Sequence, residues 1–207
     1  MQDISQKIID SAGKLFMQYG FKSITMDDVA KDLSISKKTI YQVFKDKNEI
    51  VCTVTERFLR DHKIKFDAVE DDSNNAIEKI YKASLLAREI FEKIHPYILY
   101  DLEKFYGEAW NLYLKYKQDI FLNALISNLQ EGINEGYFRD DIDIQVMASL
   151  RMEEIQLAFN IMVSPTQKLD LKEVQQQLFD HFLYGIVSEK GYSLLKSYKK
   201  NAEINEN

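Results

Sequence analysis

Helix breakers are scarce in this chain. It has 2 prolines and 7 glycines in 207 residues, against usual shares of about 5% and 7%. Proline removes a backbone donor and glycine supplies the positive φ of tight turns. A chain poor in both has few tight turns, which suits long helices better than a sandwich or barrel. The fold class expected is therefore all-α. Hydrophobic residues at 45% and charged residues at 29% exclude wholesale disorder, and the length is ample for a buried core. No apolar stretch approaches the ~18 uncharged residues of a membrane span. Met1–Lys7 has no signal-peptide core, so a cytoplasmic location and no membrane partner are expected. The single cysteine, Cys52, excludes an internal disulfide and a thiolate zinc site.

Apolar residues recur at helical spacing from the start. Ile4, Ile8, Ala12, Leu15, Phe16 and Tyr19 share one face, and Gly20 stops the helix. Thr25-Met26-Asp27-Asp28 reads as a capping box opening a short helix through Leu33. Ser34-Ile35-Ser36 is a turn, and Ser36 caps a third helix over 37–43. Asp46-Lys47-Asn48-Glu49 opens a connecting helix over about 46–66. The polar run Asp71–Asn75 marks the domain boundary. Beyond it, Ile80, Ala83, Ala87, Ile90, Phe91 and Ile94 line a helix broken by Pro96. A shorter aromatic segment over 97–106 ends at Gly107. A helix lined by Phe121, Leu125, Leu129 and Ile133 follows, then a loop from Gly136 to Asp143. Helices are expected over 144–163 and from the Asp170 cap to about 188, separated by Ser164-Pro165-Thr166. A polar, frayed tail follows from Lys199.

The charge is uneven. Residues 1–65 carry 12 Lys/Arg against 9 Asp/Glu, a net of +3, so the remainder of the −6 chain carries −9. A basic front on an acidic body suggests that only the front meets a polyanion. The last two of the three helices in this front form a helix-turn-helix arrangement. Val29, Ala30, Leu33, Ile35, Ile40 and Val43 face inward, and Ala30 is small where the helices cross. The second motif helix exposes Lys37, Lys38, Thr39, Tyr41 and Gln42. These are residue types that contact phosphates and base edges, whereas a merely solvated helix would not need the surrounding motif.

At these residues the chain resembles the TetR/AcrR family of bacterial transcriptional regulators. The resemblance runs from Ala12 to Glu49. It rests on Lys14-Leu15-Phe16, Tyr19-Gly20-Phe21, Ile24 to Ala30, Ile35 to Tyr41, and Phe44-Lys45-Asp46-Lys47-Asn48-Glu49. Three positions depart from the family pattern. Ser34 stands where the motif turn usually has glycine, so its backbone is expected to be strained. Gly13 stands inside a helix where alanine is usual, at a cost of about 1 kcal/mol. Lys38 stands where glycine or proline is frequent. The resemblance implies that Thr25, Tyr41 and Lys47 grip phosphates. It implies that Lys37, Lys38, Thr39 and Gln42 face base edges or nearby phosphates. Gln42 is the candidate for a bidentate adenine contact, worth about 1–3 kcal/mol of discrimination.

The chain has 25 aromatics, 12 Tyr, 12 Phe and 1 Trp. The resemblance implies an effector pocket in the C-terminal domain. Phe91, His95, Tyr97, Tyr100, Tyr106 and Trp110 are candidate walls, completed by Phe121, Met152 and Phe159. Plain core packing is an equal reading for any one of them. The interspersed Glu92, Asp101, Glu103 and Glu108 would favour a cationic ligand if they turned inward. Glu92-Lys93-Ile94-His95 is an E-x-x-H, but no second copy exists to build a di-metal bundle. No metal and no cofactor are expected. Cys52 is expected to be a buried, inert thiol.

The last two helices carry more apolar surface than one internal face requires. Pairing with their copies in a four-helix bundle would bury it, and the resemblance implies the same homodimer. The expected architecture is an N-terminal three-helix domain, residues 1–50, followed by a helical effector-binding and dimerisation domain, residues 67–207. The expected function is a homodimeric repressor on a palindromic double-stranded DNA operator, released by a small-molecule effector. An activator, or an adaptor governed by a protein partner, remains open. No nucleophile–base pair, phosphate-binding glycine loop or metal set supports an enzyme.

Overall fold

The computed structural model describes residues 4–163 and 169–205. These residues form an all-helical protein. The helices are α1 (Ile4–Tyr19), α2 (Met26–Asp32), α3 (Lys37–Tyr41), α4 (Lys47–Asp71), α5 (Ala76–Lys93), α6 (Ile98–Phe105) and α7 (Gly107–Tyr116). A π-helical segment, Lys117–Leu122, leads into α8 (Asn123–Asn134). Then follow α9 (Ile144–Val163), α10 (Leu171–Ile186) and α11 (Glu189–Asn205). No strand occurs among the described residues; Phe138 and Val187 pair only in an isolated antiparallel bridge. The Ser164-Pro165-Thr166 separator lies outside the described residues.

Two compact units are present. The first holds α1 to α3, α4 through His62, Lys93–Tyr116 and the end of α9 from Phe159. The second holds the chain from Lys63 to Glu92, from Lys117 to Ala158, and α10 with α11.

In the first unit the core is Ile8, Ala12 and Phe16 of α1, Val29 of α2, Ile40 of α3, and Ile50 and Val51 of α4, all fully buried. Local chemistry sets the element ends. Gly20 closes α1 at φ +84°, donating its N–H to Phe16 O at 2.8 Å. Thr25 and Asp28 form the expected reciprocal capping box of α2. Ser36 caps α3 by accepting the N–H of Thr39, and Asp46 caps α4 by accepting the N–H of Glu49. Ser34 has φ +54°, the strained backbone expected of a serine in this turn.

Several expectations are corrected. Helix α3 ends at Tyr41, and Gln42 is its C-cap. Val43, expected inside, is exposed; Phe44 takes the buried position instead. Tyr19 is also exposed, because Ile9 and Ser11 shift the buried face of α1 by part of a turn. Gly107 opens α7 rather than ending a segment. Helix α4 extends to Asp71, beyond the expected end.

The second unit packs Ile77, Leu129, Ala148, Leu183, Ile186 and Leu195 into one fully buried cluster. Phe138 reaches this core from the loop after α8. The absent Cβ of Gly132 makes room for its ring, since a Cβ there would lie 2.1 Å from Phe138 Cδ2. The frayed tail expected from Lys199 is instead the end of α11. Long-range contacts hold it: Lys199 Nζ reaches Asp180 Oδ1 at 2.8 Å, and Tyr198 Oη accepts from Asn75 Nδ2 at 3.1 Å. Composition alone did not reveal these partners. On α9, Ala148, Met152, Ala158 and Phe159 are buried, whereas Val146, Leu150 and Leu157 are exposed.

Candidate nucleic-acid interface

The reading helix is short. Ile40 anchors it, fully buried beneath the polar face, and Ile35 N–H donates to Ala30 O at 3.0 Å to fix the turn before it. What remains outside is Lys37, Lys38, Tyr41 and Gln42, all exposed, with Thr39 half-buried. Thr39 Oγ1 shares a 2.8 Å hydrogen bond with Ser36 Oγ, so its hydroxyl is already oriented. Lys37 Nζ pairs with Asp27 Oδ2 at 2.8 Å. That bond raises the lysine pKa above its usual value and keeps the ammonium charged. Asp27 is the residue that sequence reasoning passed over: it competes with any phosphate for Lys37.

Thr25 is exposed at the N-terminus of α2. Its hydroxyl donates to Asp28 Oδ2 at 2.6 Å and accepts the Asp28 N–H at 3.3 Å. Thr25 holds the Asp28 carboxyl below its usual pKa, first through its hydroxyl and then through its N–H.

Lys47 lies elsewhere than a free phosphate clamp would. It is half-buried, its ammonium donates to Phe21 O, and it sits 5.4 Å from the Tyr106 ring centroid and 5.8 Å from that of Phe16. Burial lowers its pKa, opposed by Asp101 and Asp28. Cys52, expected buried, is half-buried. Burial and the adjacent Glu108 push its thiol pKa up, which favours the inert thiol over a thiolate.

The nine candidate effector residues separate. His95, Tyr97, Tyr100, Tyr106 and Trp110 lie in the first unit. There His95 donates its backbone N–H to Met17 O at 2.7 Å and Tyr106 Oη donates to Phe21 O at 3.4 Å. Tyr97 and Tyr100 are exposed and meet edge to face, and Trp110 stacks on Tyr113. Phe159 is buried in the same unit. In the second unit, Phe121 packs edge to face with Phe66 and Met152 is buried. Phe91 lines a cleft among α5, α9 and α10 whose volume is about 240 Å³, open to solvent.

Arg88, Arg151, Lys172, Gln175 and Phe179 also line this cleft, and none was singled out from the sequence. A signal existed for Arg151, which stands three residues after the buried Ala148 on an inward-facing stripe. Burial pulls its pKa below the usual guanidinium value, opposed by Glu154. Among the described residues no cluster of His, Cys, Asp and Glu could hold a metal ion, and no helix is long and apolar enough to cross a membrane.

The sequence model of bacterial regulatory proteins of the tetR family matches residues 8–52. An uncharacterized HTH-type transcriptional regulator of Bacillus subtilis, YvaF, is 32% identical over 52% of this chain and 56% of its own length. The chain thus spans little more than half of that relative. The HTH-type transcriptional regulator SAR2658 of Staphylococcus aureus is 30% identical over 58% of this chain and 76% of its own length.

Two solved structures share the fold. The first is a putative transcriptional regulator from Saccharomonospora viridis in complex with choline. It has a TM-score of 0.72 at 18% identity and covers 88% of this chain and 97% of that one. The second is FadR from Bacillus subtilis in complex with stearoyl-CoA. It has a TM-score of 0.64 at 20% identity and covers 88% of this chain and 99% of that one. The capped helix-turn-helix, the all-helical body and the relatives agree: this chain belongs to the tetR family of bacterial transcriptional regulators.

Proposed function

We propose that this regulator is a homodimeric repressor that binds a palindromic operator and is released by a small molecule. The observation that carries the reading is the contrast across α3: Ile40 fully buried, and Lys37, Lys38, Tyr41 and Gln42 exposed on the other side. A helix built this way puts side-chain donors and an amide into a major groove while its scaffold stays rigid. Phosphate contacts from Thr25, Tyr41 and Lys37 would set register, and Gln42 would read an adenine. Lys47 joins them only by giving up Phe21 O.

The dimer is supported by Val146, Leu150 and Leu157, an exposed apolar row on α9. A two-fold dimer presents two reading helices to successive major grooves, hence the palindrome. Effector release is supported by the relatives that bind choline or stearoyl-CoA. Physically it is linkage: an effector that weakens operator binding must be weakened by operator to the same factor.

Selection from randomised duplex DNA, followed by titration at several salt concentrations, tests the reading. An inverted repeat that is lost on Gln42→Ala and Lys37→Ala supports it. Sequence-blind binding that vanishes with salt, from protein free of extractable ligand, overturns it.

A further inference from the structure

We propose that the cleft among α5, α9 and α10 is a carboxylate site, taking a small organic acid that carries an N–H or O–H donor and an apolar ring or short chain. This names the chemical class of effector and rests on the effector reading above.

Arg151 is the centre of the argument. It is 7% exposed, yet its ion pair with Glu154 is a single 3.4 Å contact from Nη1. A guanidinium has five N–H donors in a planar fork, and that fork matches a carboxylate bidentately. A buried arginine this poorly matched is a donor set awaiting an anion. The Phe179 ring, 5.2 Å from its Cζ, holds the plane in place.

Gln175 supplies the second half. It is 3% exposed, and its Nε2 donates to Ile155 O at 3.0 Å, which fixes the orientation of the amide. Its Oε1 is then a buried acceptor with no partner among the described residues. Leaving such an acceptor unmade is costly. A ligand donor beside the carboxylate would satisfy it. The same acceptor would repel the extra oxygens of a phosphate, so a planar monoanion fits better.

Charge agrees. Arg88, Arg151 and Lys172 line the cleft. Glu154 faces Arg151 and Glu92 pairs with Lys172 at 2.9 Å, leaving one cation in excess. The carboxylates that had pointed to a cationic ligand are engaged otherwise. Besides Glu92, Asp101 accepts the Lys22 N–H, and Glu108 accepts from Asn48 Nδ2. Phe91 and Phe179 provide apolar walls. The volume of about 240 Å³ falls below the roughly 300–1,000 Å³ of sites for drug-sized ligands, so the acid is small.

Calorimetry on the full chain with benzoate, 2-hydroxybenzoate and benzamide tests this without DNA. Both acids are expected to bind saturably, the hydroxy acid roughly tenfold tighter, and benzamide not at all. Arg151→Lys should weaken both acids about tenfold or more. Gln175→Leu should abolish the preference for the hydroxy acid while keeping benzoate. Should Arg151→Lys fail to fold, the exposed Arg88→Ala carries the test through a few-fold, salt-dependent loss. Benzamide binding as well as benzoate, acids indifferent to both cleft variants, or no saturable binding of either acid at millimolar concentration overturns the proposal. Acid binding that leaves operator affinity unchanged upholds the site and refutes effector release. Release by another ligand, unaffected at Arg151, does the reverse.

Discussion

The buried carboxylate of Asp101 accepts the backbone N–H of Lys22 at 2.8 Å, across 79 residues of chain. One side chain of α6 thereby holds the turn that ends α1. The turn needs Gly20 twice over: its φ is +84°, and a Cβ there would lie 3.0 Å from Asp101 Oδ2 and 3.4 Å from His95 Nδ1. We expect Gly20→Ala to destabilise the protein by about 1–2 kcal/mol through backbone strain alone, and by more if Asp101 is displaced. Asp101→Asn puts a donor where Lys22 N–H needs an acceptor and should lower the melting temperature too. Thermal unfolding of both variants checks this; an unchanged midpoint for Gly20→Ala would refute the strain argument.

Gly13 makes the opposite prediction. It lies inside α1 with ordinary helical backbone, and a Cβ there would meet only Val54 Cγ1, at 3.7 Å. That is a normal van der Waals distance. Gly13→Ala should therefore stabilise by about 0.5–1 kcal/mol, through reduced freedom of the unfolded chain. Denaturant titration measures it, and a loss of stability would mean that α1 and α4 pack too tightly to admit a methyl group.

The Lys37–Asp27 pair gives a prediction for the operator once it is identified. Asp27→Asn removes the competitor for the Lys37 ammonium and one negative charge, so affinity should rise severalfold at low salt. Lys37→Ala should weaken binding across sequences and reduce the salt slope by about 1. Gln42→Ala should instead cost about 1–3 kcal/mol on the cognate site alone. Competition assays with a scrambled duplex separate the two behaviours, and equal losses on both duplexes for Gln42→Ala would deny it a reading role.

Glu78 should make stability depend on acid. Its carboxylate accepts the N–H and side-chain amide of Asn74 and pairs with Lys82 at 2.9 Å. The Asn74 N–H is the largest influence, and the pKa falls from 4.5 to about 2. A depressed folded pKa contributes stability that is present above the unfolded value and lost as pH falls through the folded one. Wild type should exceed Glu78→Gln by up to about 3 kcal/mol near neutrality, with the gap closing between pH 4.5 and 2. Paired unfolding curves across that range test it; a gap independent of pH would place the effect in packing instead.

The reading motif was legible because its signals are local. Thr25 with Asp28, Ser36 with Thr39, and the Gly20 stop act within four residues, so spacing alone reveals them. The position of Ser34 in a turn that favours glycine likewise pointed to its positive φ. The cleft was not legible. Arg151, Lys172 and Gln175 stand on separate turns of α9 and α10, with Arg88 and Phe91 far upstream on α5. The aromatic run after Phe91 was conspicuous in sequence, yet His95, Tyr97, Tyr100 and Tyr106 went to the first unit, with α1 and α4. The reason is that Asp101 and His95 find backbone partners at Lys22 and Met17, which no periodicity encodes.

The sequence by itself determined the helical class, the caps and the identity of the reading face, since each follows from short-range backbone chemistry. Tertiary structure decided which charges are free. Lys47 is drawn onto Phe21 O and Lys37 onto Asp27, while Arg151 is buried with more donors than Glu154 can use. Charge becomes specific only through what lies within a few ångströms of it, and those neighbours come from segments that only the folded chain brings together.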